Sequence, residues 1–344
     1  MPAEVLSIHT PALFEAAVTR AAALLRAGEA VALPTETVYG LAANAWDPAA
    51  VARIYAAKGR PAHNPLIVHV ADPDLAAACA AHWPPHAALL ARAFWPGPLT
   101  LVVPRSPRVP DIVTAGGPTV GIRWPQHPFM QAVIRACGFP LAAPSANLAN
   151  RLSPTCAAHV LAQLGDVLPL VVDGGDCNVG IESTVVDVTG PVPRVLRPGM
   201  ISAEAILAAC PPGTGAPDGD HPPPQAGSTP RSPGQLDLHY APRARLTVGT
   251  WSNEAELARL LADDRIDPAR IWIVAHSSVP MSGRFPNVVL IPGDPEAYAR
   301  ALYGELHRCD EAGAERIVVE AVPEGTEWAG IADRLRRAAS TVAS

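Results

Sequence analysis

Two cations and an amide fall within the short segment Lys58-Gly59-Arg60-Pro61-Ala62-His63-Asn64. Braced by prolines, such a loop suits phosphate oxygens, which take charge from lysine as a point and from arginine as a planar fork. Lys58 carries extra weight because it is the only lysine among 26 basic residues. Either the single lysine lies there by chance, or, with arginine serving everywhere else, the remaining ammonium marks a place that a guanidinium does not fill. In the strand expected over 66–70, His69 shares a face with Ile67, opposite Leu66, Val68 and Val70. A histidine so placed is either a hydrogen-bonded core residue or part of a site fed by the cationic loop.

Four further segments carry polar groups at strand ends. Thr35, Glu36 and Thr37 lie in a turn after an apolar run, where an open α/β sheet places its ligands. In Thr119-Val120-Gly121-Ile122-Arg123-Trp124, alternation sets Thr119, Gly121 and Arg123 on one face, with the glycine leaving room beside the charge. That arginine needs either an internal Asp or Glu or a ligand carboxylate. Pro144-Ser145-Ala146-Asn147 precedes Ser153-Pro154-Thr155 at a helix start, a place that binds phosphate well, although N-capping alone accounts for Ser153. Asp173-Gly174-Gly175, Glu182-Ser183-Thr184 and Leu196-Arg197-Pro198-Gly199 complete the set. The cations and hydroxyls together fit a nucleoside triphosphate plus a small zwitterion, with charge stabilisation as the main catalytic device.

Positioning these groups takes a sheet. Strands are expected over 30–33, 66–70, 99–103, 119–124, 168–172, 183–188 and 195–197, with helices over 48–57, 86–94, 128–137 and 154–164 between them, an α/β pattern with a mixed sheet. Thr10-Pro11 reads as an N-cap and first-turn proline of a helix stopping near Gly28, with Phe14, Val18 and Leu25 on its apolar face, and Ser153-Pro154 repeats the device. Segment 211–235 is dense in Pro and Gly and poor in apolar residues, so it reads as a linker. Beyond it, strands over 246–250, 271–275, 288–291 and 317–322 alternate with helices over 254–262, 295–312 and 330–339, the pattern of a small doubly wound parallel sheet. The expected division is a catalytic domain at 1–210, a linker and lid at 211–243, and a Rossmann-like domain at 244–344.

The chain of 344 residues, 49% hydrophobic and 17% charged, is too long for one ordinary core and too apolar for disorder. No apolar run approaches the roughly 20 residues that span a bilayer, and the first ten residues do not resemble a signal peptide, so a cytoplasmic location is expected. Six scattered cysteines suggest neither a zinc site nor a disulfide framework. A formal net charge of -6 argues against tight, non-specific nucleic-acid binding. The phosphate-loop Gly-x-x-x-x-Gly-Lys, His-Glu-x-x-His and Gly-x-Ser-x-Gly motifs are absent, and the second half lacks Gly-x-Gly-x-x-Gly.

In order, PTETVYGL, KGRPAHNPLIVHV, FWPGPLTLVV, TVGIRWP, APSANLANRLSPT, DGGDCNVGIESTVVD and VLRPG resemble the threonylcarbamoyl-AMP synthase (YrdC-like) family, and the segment 233–242 with the α/β domain after it resembles the family's long form. The resemblance implies a YrdC-like twisted mixed sheet with flanking helices, followed by a smaller Rossmann-like domain. It implies a nucleotidyltransferase that joins L-threonine, bicarbonate and ATP into threonylcarbamoyl-AMP, releasing pyrophosphate. Partner proteins then transfer the group to adenosine beside the anticodon of certain tRNAs. No covalent enzyme intermediate is required, and magnesium would shield the departing pyrophosphate. Carried over by motif, Thr37, His69, Arg123, the Ala143 backbone and Ser183 would surround threonine. Arg60, Asn64, Thr119, Ser145, Ser153 and Arg197 would hold ATP, while Lys58 reaches a phosphate or the carbamate and Thr35 lines the same pocket. Lys58, Arg60 and Arg123 are the expected catalytic residues, and no protein-bound metal is expected. Tyr240 would close over the nucleotide. The family's segment before His239-Tyr240 usually carries basic residues, whereas Gln235-Leu236-Asp237-Leu238 has none. The rival reading is an RNA-binding or ribosome-associated module without turnover; the net charge and the retained pocket residues count against it. An inactive homologue would have lost Lys58, Arg60 or Arg123.

Overall fold

A computed structural model of the chain describes residues 2–210, 240–261 and 266–339. Most of the expected linker and lid, 211–239, lies outside the described residues; Tyr240 to Arg243 lie within them.

The first unit is built on ten strands: β1 (Glu4–Ser7), β2 (Val31–Leu33), β3 (Gly40–Asn44), β4 (Ile67–His69), β5 (Leu99–Pro104), β6 (Thr119–Arg123), β7 (Leu141–Ala142), β8 (Leu170–Asp173), β9 (Thr184–Asp187) and β10 (Arg194–Arg197). They form one mixed sheet in the order β1-β8-β2-β3-β7-β4-β6-β5-β9-β10. Its helices are α1 (Pro11–Arg26), α2 (Pro48–Lys58), α3 (Pro73–Cys79), α4 (Pro85–Phe94), α5 (Asp111–Thr114), α6 (Pro128–Cys137), α7 (Ala157–Leu164) and α8 (Ala203–Ala208). Alternation along the strands splits the core between two faces. Val31 and Leu33 pack with α1 and α6, whereas Ala32, Val68 and Ile122 pack with α2, α4 and α7.

Local chemistry explains the helix starts. Thr10, Asp47 and Asp72 accept hydrogen bonds from first-turn N–H groups and are each followed by a proline, whose fixed φ suits the first helical position. At the end of α2, Gly59 takes the left-handed conformation at φ 59°, which stops the helix with Lys58 as its last residue.

The second unit holds β11 (Arg245–Gly249), β12 (Ile271–Ala275), β13 (Asn287–Leu290) and β14 (Arg316–Glu320), all parallel in the order β11-β14-β12-β13, with α9 (Glu254–Leu260), α10 (Pro295–Glu311) and α11 (Ala329–Ala338). The two units share a core: Val38, Leu152 and Ile181 of the first pack with Tyr298, Leu302 and Ile331 of the second. None of the described helices is long and apolar enough to cross a membrane.

The expected fold class holds, with corrections in detail. Strands β1, β3 and β7 and helices α3, α5 and α8 were not anticipated. β3 reads Gly-Leu-Ala-Ala-Asn, without β-branched residues, and is a strand because β2 and β7 pair with it on both sides. The helix expected over 154–164 begins at Ala157, with Cys156 rather than Ser153 at its N-cap position and no side-chain cap bond there. Ser153 is fully buried, and its hydroxyl donates instead to Glu182 Oε1 at 2.5 Å, so it is unavailable as a cap.

Candidate active site

The central strands, with the turns after β2 and β7 and the segment before β9, wall a cavity lined by Thr35, Thr37, His69, Arg123, Ala143, Ser145, Glu182, Ser183, Arg197 and Tyr240, together with Arg60. Sheet register brings the first half together. Parallel pairing of β4 with β6 sets His69 beside Arg123, and antiparallel pairing of β5 with β6 sets Thr100 on Arg123's other side. Thr100 then shares a hydrogen bond of 2.8 Å with the hydroxyl of Ser183. The space at Gly121 is taken by Thr100 Cγ2 and Ile67, so that glycine accommodates the neighbouring strands rather than a ligand.

The turn after β2 is self-braced. Thr35 Oγ1 donates to the Val38 carbonyl at 2.6 Å and accepts from Thr37 N at 3.1 Å, which fixes the Thr37 hydroxyl where Arg123 Nη1 donates to it at 2.8 Å. Arg123 has the internal carboxylate partner that was one of its two readings. Its Nη2 lies 2.8 Å from Glu36 Oε1, although without the alignment of a hydrogen bond. Burial pushes the Glu36 carboxyl up, but the Arg123 charge and the Gln126 N–H outweigh it and hold it below its usual range. His69 is buried with Nδ1 unpartnered. Burial and the nearby Arg123 charge lower it to about 3, so it is a neutral imidazole at neutral pH.

The other half is cationic. Arg60 donates Nε to the Asn64 carbonyl and Nη2 to the Pro65 carbonyl, and among the described residues it forms an ion pair with no acid. Burial lowers it to about 10, still a cation at neutral pH. Arg197 donates Nη2 to the Ser183 carbonyl at 2.9 Å and Nη1 to the Tyr240 hydroxyl at 3.5 Å. Tyr240 is buried with φ 61°, a left-handed backbone that a tyrosine adopts only where its surroundings impose it. A buried wall that joins a neutral imidazole, hydroxyls and guanidinium groups stabilises developing negative charge.

The chain is similar to known proteins over nearly its whole length. Residues 23–199 match the Sua5/YciO/YrdC family model, described as "Telomere recombination", and residues 201–340 match the model of the threonylcarbamoyl-AMP synthase C-terminal domain. The threonylcarbamoyl-AMP synthase of Pyrococcus abyssi is 37% identical over 92% of this chain and 92% of its own, and that of Bacillus subtilis is 40% identical over 94% and 92%. The chain belongs to the threonylcarbamoyl-AMP synthase family. Among solved structures, P. abyssi Sua5 complexed with L-threonine superposes with a TM-score of 0.86 at 35% identity, covering 98% of each chain.

Within this threonylcarbamoyl-AMP synthase fold, the expected threonine group (Thr37, His69, Arg123, Ala143 and Ser183) lines one cavity, as do Thr35, Arg60, Ser145, Arg197 and Tyr240. The Ala143 N–H is already donated to the Ile67 carbonyl, which leaves its carbonyl as the main-chain group on offer. Lys58 and Asn64 line a smaller adjoining recess with Arg60, Ser145 and Asn147. There the Lys58 ammonium donates to the carbonyls of Ser145, at 2.5 Å, and of Asn147. Burial and the Arg60 charge push its pKa well down. Ser153 stands behind Glu182 rather than at the wall. Thr119 does not line the cavity: it starts β6, four residues and roughly 13 Å along the strand from Arg123.

Two residues were missed. Glu36 was seen only as a polar member of its turn, and nothing local points to Arg123. Glu182 was noted in its motif without a role. It lines the cavity and accepts from Ser153, from Arg334 Nε at 2.6 Å and from the Tyr303 hydroxyl at 3.2 Å. Burial pushes its carboxyl up, but the Arg334 and Arg197 charges and these hydrogen bonds hold it at about 2.

Proposed function

We propose that the cavity converts L-threonine, bicarbonate and ATP into threonylcarbamoyl-AMP, the product named in the relatives, and pyrophosphate, as a cytoplasmic nucleotidyltransferase. The observation that carries the reading is the pairing, in one cavity, of the buried Arg123–Thr37 contact with the cations Arg60 and Arg197. The first half suits a small zwitterion: Arg123 takes the threonine carboxylate, Thr37 and Ser183 orient it, and neutral His69 offers a ring nitrogen without adding charge. The second half suits phosphate oxygens, with Tyr240 over the nucleotide.

The chemistry runs in two steps. Carbon dioxide, from dehydration of bicarbonate, is attacked by the threonine amine, which loses a proton as the C–N bond forms and a carbamate results. A carbamate oxygen then attacks the α-phosphorus of ATP, the bond from that phosphorus to the bridging oxygen breaks, and pyrophosphate leaves. Arg60 and Arg197 offset the charge that builds on the phosphates, and Lys58 fixes the loop carrying Ser145 and Asn147. Magnesium would enter with ATP as part of the substrate and shield the leaving group; the wall carboxylate, Glu182, is already engaged by Arg334, Ser153 and Tyr303. The product suits a partner transferase that passes the threonylcarbamoyl group to a tRNA adenosine.

The test is pyrophosphate release by the purified protein with each substrate omitted in turn. Release that needs threonine, bicarbonate and ATP together is the expected result. No release with all three present overturns the reading, and tight RNA binding at physiological salt without turnover would favour the RNA-binding module instead.

A further inference from the structure

The second unit reaches the cavity through a side chain that does not line it. Arg334 of α11 is 1% exposed. Its Nε donates to Glu182 Oε2 at 2.6 Å, its Nη2 to the Glu182 carbonyl at 3.2 Å and its Nη1 to the Pro198 carbonyl at 2.9 Å. Its Cζ lies 5.2 Å from the ring centre of Tyr240. The residues flanking those anchors are wall residues: Ser183 follows Glu182, and Arg197 precedes Pro198. One rigid planar fork therefore sets the spacing between the start of β9 and the end of β10, the gap that Arg197 itself bridges to the Ser183 carbonyl.

Independent contacts make the clamp stiff. A Cβ on Gly330, in the first turn of α11, would stand 2.9 Å from the Gly199 backbone, and one on Gly180 would stand 2.4 Å from the Ala299 carbonyl. Backbone meets backbone at both places, so α10 and α11 sit at a fixed distance from the wall. Of the threonine half, Thr37, His69 and Arg123 have no contact with Arg334 among the described residues; Ser183, next to the Glu182 anchor, is held separately by the Thr100 hydroxyl.

We propose that Arg334 is a positioning residue: by clamping Glu182 to Pro198 it holds Arg197 and Tyr240 in the geometry that binds ATP, while threonine binding is left to the first unit. The assignment of ATP to that half rests on the synthase reading above. Arg334→Lys keeps the charge, but a single nitrogen cannot reach all three acceptors. Titration calorimetry on the full chain should show ATP affinity lowered about tenfold, the loss of hydrogen bonds to a charged group, with L-threonine affinity changed less than about twofold. Tyr303→Phe removes one hydroxyl from Glu182 and should give a smaller loss in ATP affinity alone. A purely structural staple would lower both affinities together. Equal losses for the two ligands, or unchanged ATP affinity in a folded Arg334→Lys, overturn the proposal; should that variant fail to fold, unchanged ATP affinity in Tyr303→Phe does so. Because the readout is binding, it is separate from the turnover assay: a wild type that binds both ligands but releases no pyrophosphate refutes the synthase reading and leaves the clamp to be judged on the affinities.

Discussion

Arg123 and Glu36 form a buried pair beside the cavity, with Nη2 2.8 Å from Oε1 and both side chains about 5% exposed. The same guanidinium donates Nη1 to Thr37, so it is held by one turn from two sides before any ligand arrives. Such an arginine is pre-oriented for a carboxylate, and its own acid offsets the cost of burying it.

Arg123→Ala should lower L-threonine affinity by about 100-fold, the scale of a charge-assisted contact, and ATP affinity far less. It should also cost roughly 3–5 kcal/mol of stability, because Glu36 stays buried without its partner. Adding Glu36→Gln should recover much of that stability and none of the threonine binding. Calorimetry with each ligand, alongside urea unfolding, separates the two effects; equal losses for threonine and ATP would show that the arginine is misassigned.

Lys58→Arg keeps the charge and changes the shape. A planar fork cannot point into the narrow space between the Ser145 and Asn147 carbonyls, so pyrophosphate release should fall at least about tenfold, with a lower melting temperature. Full activity in this variant would remove the argument that an ammonium is required there.

Acid should loosen the contact between the two units in two stages. His159 of α7 and His307 of α10 stack with ring centres 3.8 Å apart, and burial lowers each to about 4 from an ordinary 6.5, with their mutual proximity adding to the shift of His307. Between those values the unfolded chain binds protons that the folded one refuses, so stability falls as the pH drops from about 6.5 to about 4. Glu182 works in a lower window. With its folded value near 2 against an ordinary 4.5, its contribution is whole above about pH 5 and is lost as the pH falls toward 2. Denaturant midpoints at a series of pH values should show His307→Phe flattening the upper stage only; an unchanged slope would contradict the assignment.

Gly180→Ala should destabilise the protein by at least about 1–3 kcal/mol, since the methyl group meets the Ala299 carbonyl in a fully packed contact and the backbone there has φ 85°. Urea unfolding measures the loss. A neutral result would mean that the two units yield at this contact.

The elements legible in the chain were those whose signals are local. Proline after Thr10 marked the start of α1, and alternation in 119–124 put Arg123 on the correct face beside Gly121. What escaped depends on partners distant in sequence. Ser153-Pro154 looks like an N-cap until Glu182, on another segment, takes the serine hydroxyl. Likewise β3 has no strand composition of its own. Arg334 could not be linked to the site at all, because its acceptors lie more than a hundred residues upstream and only the packing of the two units brings them together. Thr119 shows the converse error: the correct face of a strand says nothing about how far along it a ligand reaches.

Lys58 has a consequence for chemical labelling. It carries the only side-chain amine in the chain and is 2% exposed. An amine-selective acylating reagent can reach that nitrogen only when the loop holding Ser145 and Asn147 lifts away from the end of α2. The rate at which this one position gains mass therefore clocks the opening of the recess, and a bound nucleotide that holds the loop down would register as protection of a single atom.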